Sequence, residues 1–170
     1  MSLFTIPSNS LEQMKVWRRS FHQYPEVGWT EFRTASIIAN ELKNLGFQVQ
    51  VGREVVSENR MGVPSEEILT RVYESAVKNG GHIEYLEKMV GGYTGVVGTI
   101  QGSKPGPTIG FRFDMDALDI LESKETTHLP IEEEFVSEYE GRMHACGHDA
   151  HSSIGLGLAT ILSQNKENIE

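Results

Sequence analysis

Residues 108–116 read TIGFRFDMD, an apolar run that ends in two aspartates. The apolar part, residues 108–113, is typical of a strand buried in a sheet. Residues 94–100 predict a second strand, and residues 102–107, which are rich in Gly and Pro, predict the turn between the two. This stretch therefore predicts a sheet-containing domain whose polar groups follow directly after a buried strand.

The surrounding sequence predicts helices and one more strand. Apolar residues at helical spacing predict a first helix whose buried stripe comprises Leu11, Met14, Trp17 and Phe21. A second helix is expected to end at Gly46, and the alternation over residues 47–51 predicts a strand. A last apolar helix is expected over residues 152–162. Helices that alternate with strands predict an α/β fold.

Residues 52–90 differ from their surroundings because they are polar and charged. Within them, residues 65–79 carry a modest apolar face and predict a helix, which Gly80 and Gly81 would end. We interpret residues 52–90 as a helical insertion on the α/β scaffold.

Composition restricts the kind of partner. The chain has 170 residues, and 15 Lys and Arg stand against 24 Asp and Glu, which gives a net charge of −9. Nucleic acids and anionic membranes are bound by clustered Lys and Arg, so neither partner is expected. No apolar run approaches the roughly 20 residues that span a bilayer. Residues 1–10 lack the features of a secretory signal, and a single Cys fits a reducing compartment, so we expect a cytoplasmic protein.

The densest chemical signal is residues 144–151, which read HACGHDAH. On an extended backbone His144, Cys146 and His148 would lie on one face, and a thiolate with imidazoles is a ligand set for zinc or a similar metal. The alternative is a His-rich surface loop with a free, buried Cys. Because a metal site needs three or four ligands, this segment cannot complete one by itself.

Asp114 and Asp116 form a second signal at the end of the predicted strand. Ligands of open α/β sheets bind beyond the carboxyl ends of strands, so these carboxylates could bind a metal or orient a ligating His. The alternative is that they cap a turn. A third signal, His22 near Pro25, is more often structural than functional.

Four segments together resemble the M20 family of metallopeptidases and amidohydrolases, in its aminoacylase-like branch with hippurate and indole-acetyl-amino-acid hydrolases. They occur in the family's order: RRSFHQYPE at 18–26, GVVG at 95–98, GFRFDMDAL at 110–118 and MHACGHDAH at 143–151. The resemblance implies the N-terminal part of a zinc-peptidase-like catalytic domain, α/β with a mainly parallel sheet flanked by helices.

The resemblance also implies a site with divalent metal, two ions of Mn or Zn. Cys146 and His148 match the family's metal ligands. Asp114 stands where other branches place a metal-binding His, and together with His144 and Asp149 it ranks lower as a ligand. These assignments are carried over from the family's motif.

Asp116 matches the family's aspartate that orients a ligand or the catalytic water, so it is the expected catalytic residue. The implied reaction is hydrolysis of an amide bond to an amino acid, with p-aminobenzoyl-glutamate as the expected substrate. Another N-acyl amino acid, such as a hippurate-like compound, is the alternative, and a second, different hydrolase chain is a possible partner.

The family's general base, its remaining ligands and its lid or dimerisation domain lie beyond the motif at residues 143–151. We therefore expect residues 1–170 to be the N-terminal part of the catalytic domain, inactive alone, and to self-associate through an unpaired sheet edge. A short protein that binds a metal or a partner without catalysis is the remaining alternative.

Overall fold

A computed structural model describes residues 7–169 of the chain, which fold mainly into helices. The helices are α1 (Ser10–Gln23), α2 (Phe32–Asn44), α3 (Glu66–Lys78), α4 (Ile83–Met89), α5 (Leu129–Glu132) and α6 (His148–Gln164). Two short 3-10 helices cover Gly52–Glu54 and Lys166–Asn168. Two strands, β1 (Gln48–Val51) and β2 (Val96–Thr99), complete the secondary structure.

The sheet contradicts the expected mainly parallel arrangement. Within residues 7–169 it has two strands, which pair antiparallel from Gln48 opposite Thr99 to Val51 opposite Val96. Alternating apolar residues predicted both strands, but the alternation carries no information about direction, because side chains alternate in parallel and antiparallel pairs alike. The α/β class is therefore retained, with a small antiparallel sheet.

The strand predicted over residues 108–113 does not form. The segment has no regular secondary structure, and Ile109 and Phe111 are 70% and 59% exposed. A strand is defined by hydrogen bonds to a neighbour, and no strand lies beside this segment within the described residues. Just beyond it, isolated bridges join Ala117 to Val27 and Leu118 to Met143, so only the end of the segment is held.

The larger core cluster joins α2, β1, α3 and α4. Its fully buried members include Phe32, Ala39, Leu86 and Met89. The predicted helix at 65–79 is confirmed as α3, where Ser65 caps the first turn by accepting a hydrogen bond from the backbone N–H of Ile68. Because α3 and α4 supply much of this core, residues 52–90 are packed into the domain, and their origin as an insertion stays a prediction.

A smaller core cluster packs α1 against α6. It contains Trp17, Phe21 and Leu156, with Met14 packed against it. These contacts confirm three members of the predicted stripe on α1. The fourth, Leu11, is 71% exposed, because it lies in the first turn of the helix, outside this cluster.

Some expectations reach the edge of the described residues. The expected lack of a secretory signal concerned residues 1–10, of which 1–6 lie outside the part that the structure describes. Across the described part, every helix is too short or too polar to cross a membrane.

Candidate functional site

The segment from His144 to Cys146 is a turn, so the expected extended backbone is wrong. The backbone N–H of Gly147 bonds to the carbonyl of His144 at 3.1 Å, and Gly147 has a left-handed φ of 79°. Helix α6 then begins at His148. As a result His144 is buried while the thiol of Cys146 is exposed, and the predicted common face does not form.

His148 and Asp116 are brought together as a pair. The Nδ1 atom of His148 lies 2.9 Å from both the carboxylate Oδ1 and the backbone carbonyl of Asp116. An Nδ1–H that donates to Asp116 fixes the tautomer and the orientation of the ring. The other nitrogen, Nε2, is then the atom with a free lone pair.

Asp114 has partners of its own, different from those of Asp116. Met115, between them, packs against the larger core. The backbone N–H of Asp114 donates to Nδ1 of His151 at 3.0 Å, and its carboxylate accepts from the Arg112 guanidinium at 2.8 Å. These hydrogen bonds from Arg112 lower the pKa of Asp114.

Asp149 points away from that pair, into the interface with α1. Its Oδ2 lies 2.9 Å from Nδ1 of His22 and 3.2 Å from Nε of Arg18. Burial alone would raise the pKa of Asp149, but the hydrogen bonds from His22 and from the backbone N–H of Ala150 lower it. Asp149 is therefore a buried carboxylate that stays ionised.

His22 also contacts a residue that no sequence pattern had singled out. Its Nε2 lies 2.7 Å from Oε1 of Glu122, and Nε2 of His128 lies 2.9 Å from the same oxygen. The backbone N–H of Ser137 donates to the second oxygen of Glu122 at 2.7 Å. Glu122 lies at the start of an acidic stretch, so nothing in the sequence marks it as special. Only its burial distinguishes it from the exposed residues 132–134.

His144 has an unusual environment. It is buried, and neither ring nitrogen has a hydrogen-bond partner within residues 7–169. Burial lowers its pKa to about 4, which keeps the imidazole neutral. Its ring lies 6.4 Å from that of His22.

Two further buried carboxylates, Glu26 and Glu31, lie on the α2 side. Glu26 accepts the backbone N–H groups of Arg33 and Thr34 at 2.9 and 2.8 Å, in the first turn of α2. Its backbone carbonyl accepts from the N–H of Ala117, which holds the residue after Asp116. The Glu of the YPE motif therefore fixes the carboxyl-terminal end of the 108–117 segment.

The donor chemistry fits a divalent metal, but the set is incomplete. An exposed thiol and an imidazole oriented through a carboxylate are donors that suit zinc and its neighbours. No group of three or more His, Cys, Asp or Glu side chains in the described part is arranged to hold an ion. A metal held by Cys146 and His148 would therefore need further ligands from outside residues 7–169.

Comparison with known proteins agrees with the motifs. Residues 110–170 match the peptidase family M20/M25/M40. One of the subunits of p-aminobenzoyl-glutamate hydrolase from Escherichia coli strain K12 is 49% identical over 158 residues, which are 92% of this chain and 36% of that protein. The indole-3-acetyl-aspartic acid hydrolase of Enterobacter agglomerans is 46% identical over 160 residues, which are 94% of this chain and 37% of that enzyme.

Two solved structures are similar to the chain. The aminobenzoyl-glutamate utilization protein from Klebsiella pneumoniae is 41% identical with a TM-score of 0.72, covering 91% of this chain and 32% of its own. The Bacillus subtilis YXEP protein, described as a dinuclear metal binding peptidase from the M20 family, is 28% identical with a TM-score of 0.61, covering 94% and 33%. The chain thus spans about a third of the length of the relatives it matches. The resemblance to the M20 family that the four motifs predicted is therefore confirmed, by the family match over residues 110–170 and by the similarity of most of the chain to these relatives.

Proposed function

We propose that this chain supplies part of the metal centre of a hydrolase that cleaves an amide bond to an amino acid. The observation that carries the proposal is the contact between His148 Nδ1 and Asp116, at 2.9 Å to the carboxylate and to the backbone carbonyl. Histidines that ligate metals generally donate their second ring N–H to such an oxygen. The B. subtilis relative, described as binding two metal ions, supports a divalent metal.

The residues have distinct proposed roles. Nε2 of His148 and the thiolate of Cys146 are the proposed metal ligands, and Asp116 is the proposed catalytic residue that orients His148. A bound divalent metal would polarise the amide carbonyl and lower the pKa of a water molecule. Thiolate and imidazole suit zinc, whereas the family resemblance points to manganese, so the proposal covers either ion.

The remaining candidates rank lower as ligands. The carboxylate of Asp114 is occupied by Arg112, and that of Asp149 by His22 and Arg18. His144 is buried, whereas the thiol of Cys146 is exposed. These contacts favour supporting roles for all three.

For the substrate we propose p-aminobenzoyl-glutamate, because that compound is named in the E. coli relative. The whole protein, with the part of the family's length that this chain does not cover, would carry the activity. A second, different hydrolase chain, self-association and a cytoplasmic location belong to the same proposal, and a single Cys without an internal partner fits a reducing compartment.

Cobalt(II) titration of the full-length protein that carries this segment tests the metal site. We expect an absorption band from thiolate-to-cobalt charge transfer, which Cys146→Ser abolishes and His148→Ala weakens. Cys146→Ala serves as a second thiol-free control. A full-length wild-type protein that binds no cobalt, or binds it with the same spectrum after Cys146→Ser, would contradict the proposal.

The substrate is tested on the full-length protein that carries this segment. A panel of p-aminobenzoyl-glutamate, hippurate and other N-acyl amino acids is assayed with Mn²⁺ and with Zn²⁺. We expect the largest kcat/KM for p-aminobenzoyl-glutamate and no hydrolysis by the 170-residue chain alone. A larger kcat/KM for hippurate would support the alternative substrate.

A non-catalytic role is the second candidate, favoured by the incomplete ligand set within residues 7–169. A short protein of this kind would bind a metal or a partner without hydrolysing any substrate. Hydrolysis by the full-length protein that is lost with Asp116→Asn would eliminate it.

A further inference from the structure

His22 lies between two carboxylates in the buried interface of α1 with α6. Its Nδ1 is 2.9 Å from Asp149 Oδ2 and its Nε2 is 2.7 Å from Glu122 Oε1. All three side chains are at most 5% exposed. Ionised carboxylates only accept hydrogen bonds, so His22 donates from both nitrogens and is an imidazolium.

The charges around His22 are matched. Arg18 donates to Asp149 from the solvent side, while His128 and the backbone N–H of Ser137 donate to Glu122. The ring of Phe135 packs edge-on at 5.4 Å. Burying charges in this way is costly unless each is paired, so removing one partner leaves the others unsatisfied.

Asp149 directly follows His148 in the first turn of α6. His148 is held by Asp116 on one side, and Asp149 is held by His22 on the other. The N-terminus of α6 is therefore fixed from two directions at adjacent residues. Gly147, which precedes them in a left-handed conformation, supplies no side chain that could do the same.

We propose that His22 is a positioning residue, whose bond to Asp149 sets the orientation in which His148 meets the metal. The inference rests on the proposed metal site and extends it to a residue on α1. The bond from His22 Nε2 to Glu122 then holds the opposite edge of the His22 imidazole ring. Replacing a residue that orients a metal ligand without touching the metal typically weakens metal binding by about 10- to 100-fold.

The two ring nitrogens can be tested separately. Asn places its amide nitrogen near the position of Nδ1, so His22→Asn keeps the donor to Asp149 and loses the one to Glu122. Gln places its amide nitrogen near the position of Nε2, so His22→Gln keeps the donor to Glu122 and loses the one to Asp149. A general structural role would make the two variants similar.

The experiment is a cobalt(II) titration of the full-length protein that carries this segment, followed by the thiolate-to-cobalt band and by calorimetry. We expect His22→Asn to bind within about threefold of wild type, and His22→Gln to bind about 10-fold or more weakly with a shifted band. Circular dichroism and thermal unfolding of both variants show whether each is folded under the conditions of the titration.

A second variant covers the case in which His22→Gln does not fold. Arg18→Gln removes another donor to Asp149 from a half-exposed side chain, and we expect it to weaken cobalt binding by about threefold. Equal affinities for His22→Asn and His22→Gln, or an unchanged affinity for Arg18→Gln, would overturn the positioning role. A full-length wild-type protein without the band would instead overturn the proposed metal site, and the inference with it.

Discussion

The hydroxyl of Thr94 donates a 2.6 Å hydrogen bond to Oε2 of Glu31, and both side chains are buried. Burial raises the pKa of Glu31 to about 7, although the bond from Thr94 acts in the opposite direction. The nearby carboxylates of Glu26 and Asp116 raise it further. Glu31 therefore carries a proton in the folded chain at pH values where an unfolded chain has lost it.

This difference predicts a pH-dependent stability. Between the ordinary value of 4.5 and about 7, the folded state binds more protons than the unfolded state, so the free energy of unfolding falls as the pH rises through this window. Glu26, whose pKa burial also raises to about 7, adds to the slope. The buried His144, whose pKa is lowered to about 4, acts in the opposite direction below pH 6.5. We expect Glu31→Gln to make the free energy of unfolding fall less steeply with pH than in the wild type, measured by urea unfolding from pH 4.5 to 8. Glu12→Gln, on the exposed surface, is the control, and an unchanged slope for Glu31→Gln would refute this assignment.

Replacing His144 is expected to stabilise the chain. Both of its ring nitrogens are buried without a partner in the described part, and a buried polar group in that condition costs about 1–3 kcal/mol. His144→Leu should therefore raise the free energy of unfolding by about 1 kcal/mol, measured by chemical denaturation. The matched control is His22→Leu, which leaves two buried carboxylates unpaired and should destabilise by about 3 kcal/mol or more. Destabilisation by His144→Leu would show that the ring has a partner after all.

Two leucines, one buried and one exposed, should respond differently to replacement by alanine. Leu86 on α4 is fully buried within the larger core cluster, so Leu86→Ala should cost about 2–5 kcal/mol. Leu11, at 71% exposure, should tolerate Leu11→Ala within about 0.5 kcal/mol. Thermal and urea unfolding of the two variants measure the difference, and similar losses would mean that α1 buries Leu11.

Two glycines with the same backbone conformation test the packing of the 3-10 helix against α4. Gly52 has a φ of 70°, and a Cβ there would lie 2.1 Å from the backbone carbonyl oxygen of Lys88. Gly46 has a φ of 83° with open space around the same position. Gly46→Ala should cost about 1 kcal/mol for the backbone alone, whereas Gly52→Ala should cost several times more because α4 must move. Equal losses of unfolding free energy for the two variants, measured with urea, would indicate that α4 moves away from residue 52 at little cost.

The four longer helices could be predicted because each depends largely on its own sequence, whereas the short α4 and α5 were not predicted. Periodic apolar residues identified α1, and Ser65 with the following apolar face identified α3. The strand expected at 108–113 depends instead on a neighbour that residues 7–169 do not supply. Its composition describes a buried strand, and composition alone cannot show whether a partner is present.

The candidate site was predictable in part for a similar reason. The motifs could identify His148 and Asp116 as candidates, because both residues lie in recognisable segments. The turn at Gly147 could not be predicted from the motifs. It places His144 and Cys146 in different environments despite their spacing. Glu122 and His128 have no local signal, because their partner His22 lies far away in the sequence.

The bonds of His22 have a consequence for folding kinetics. They join residues 127 and 100 positions apart, so each closes a long loop. Contacts between distant residues form slowly, because chain entropy is lost before they contribute any stability. The first turn of α6 can reach its final orientation only after α1 and α6 have docked. We therefore expect the contact between His22 and Asp149 to form in the last phase of refolding, after most of the helical signal has recovered.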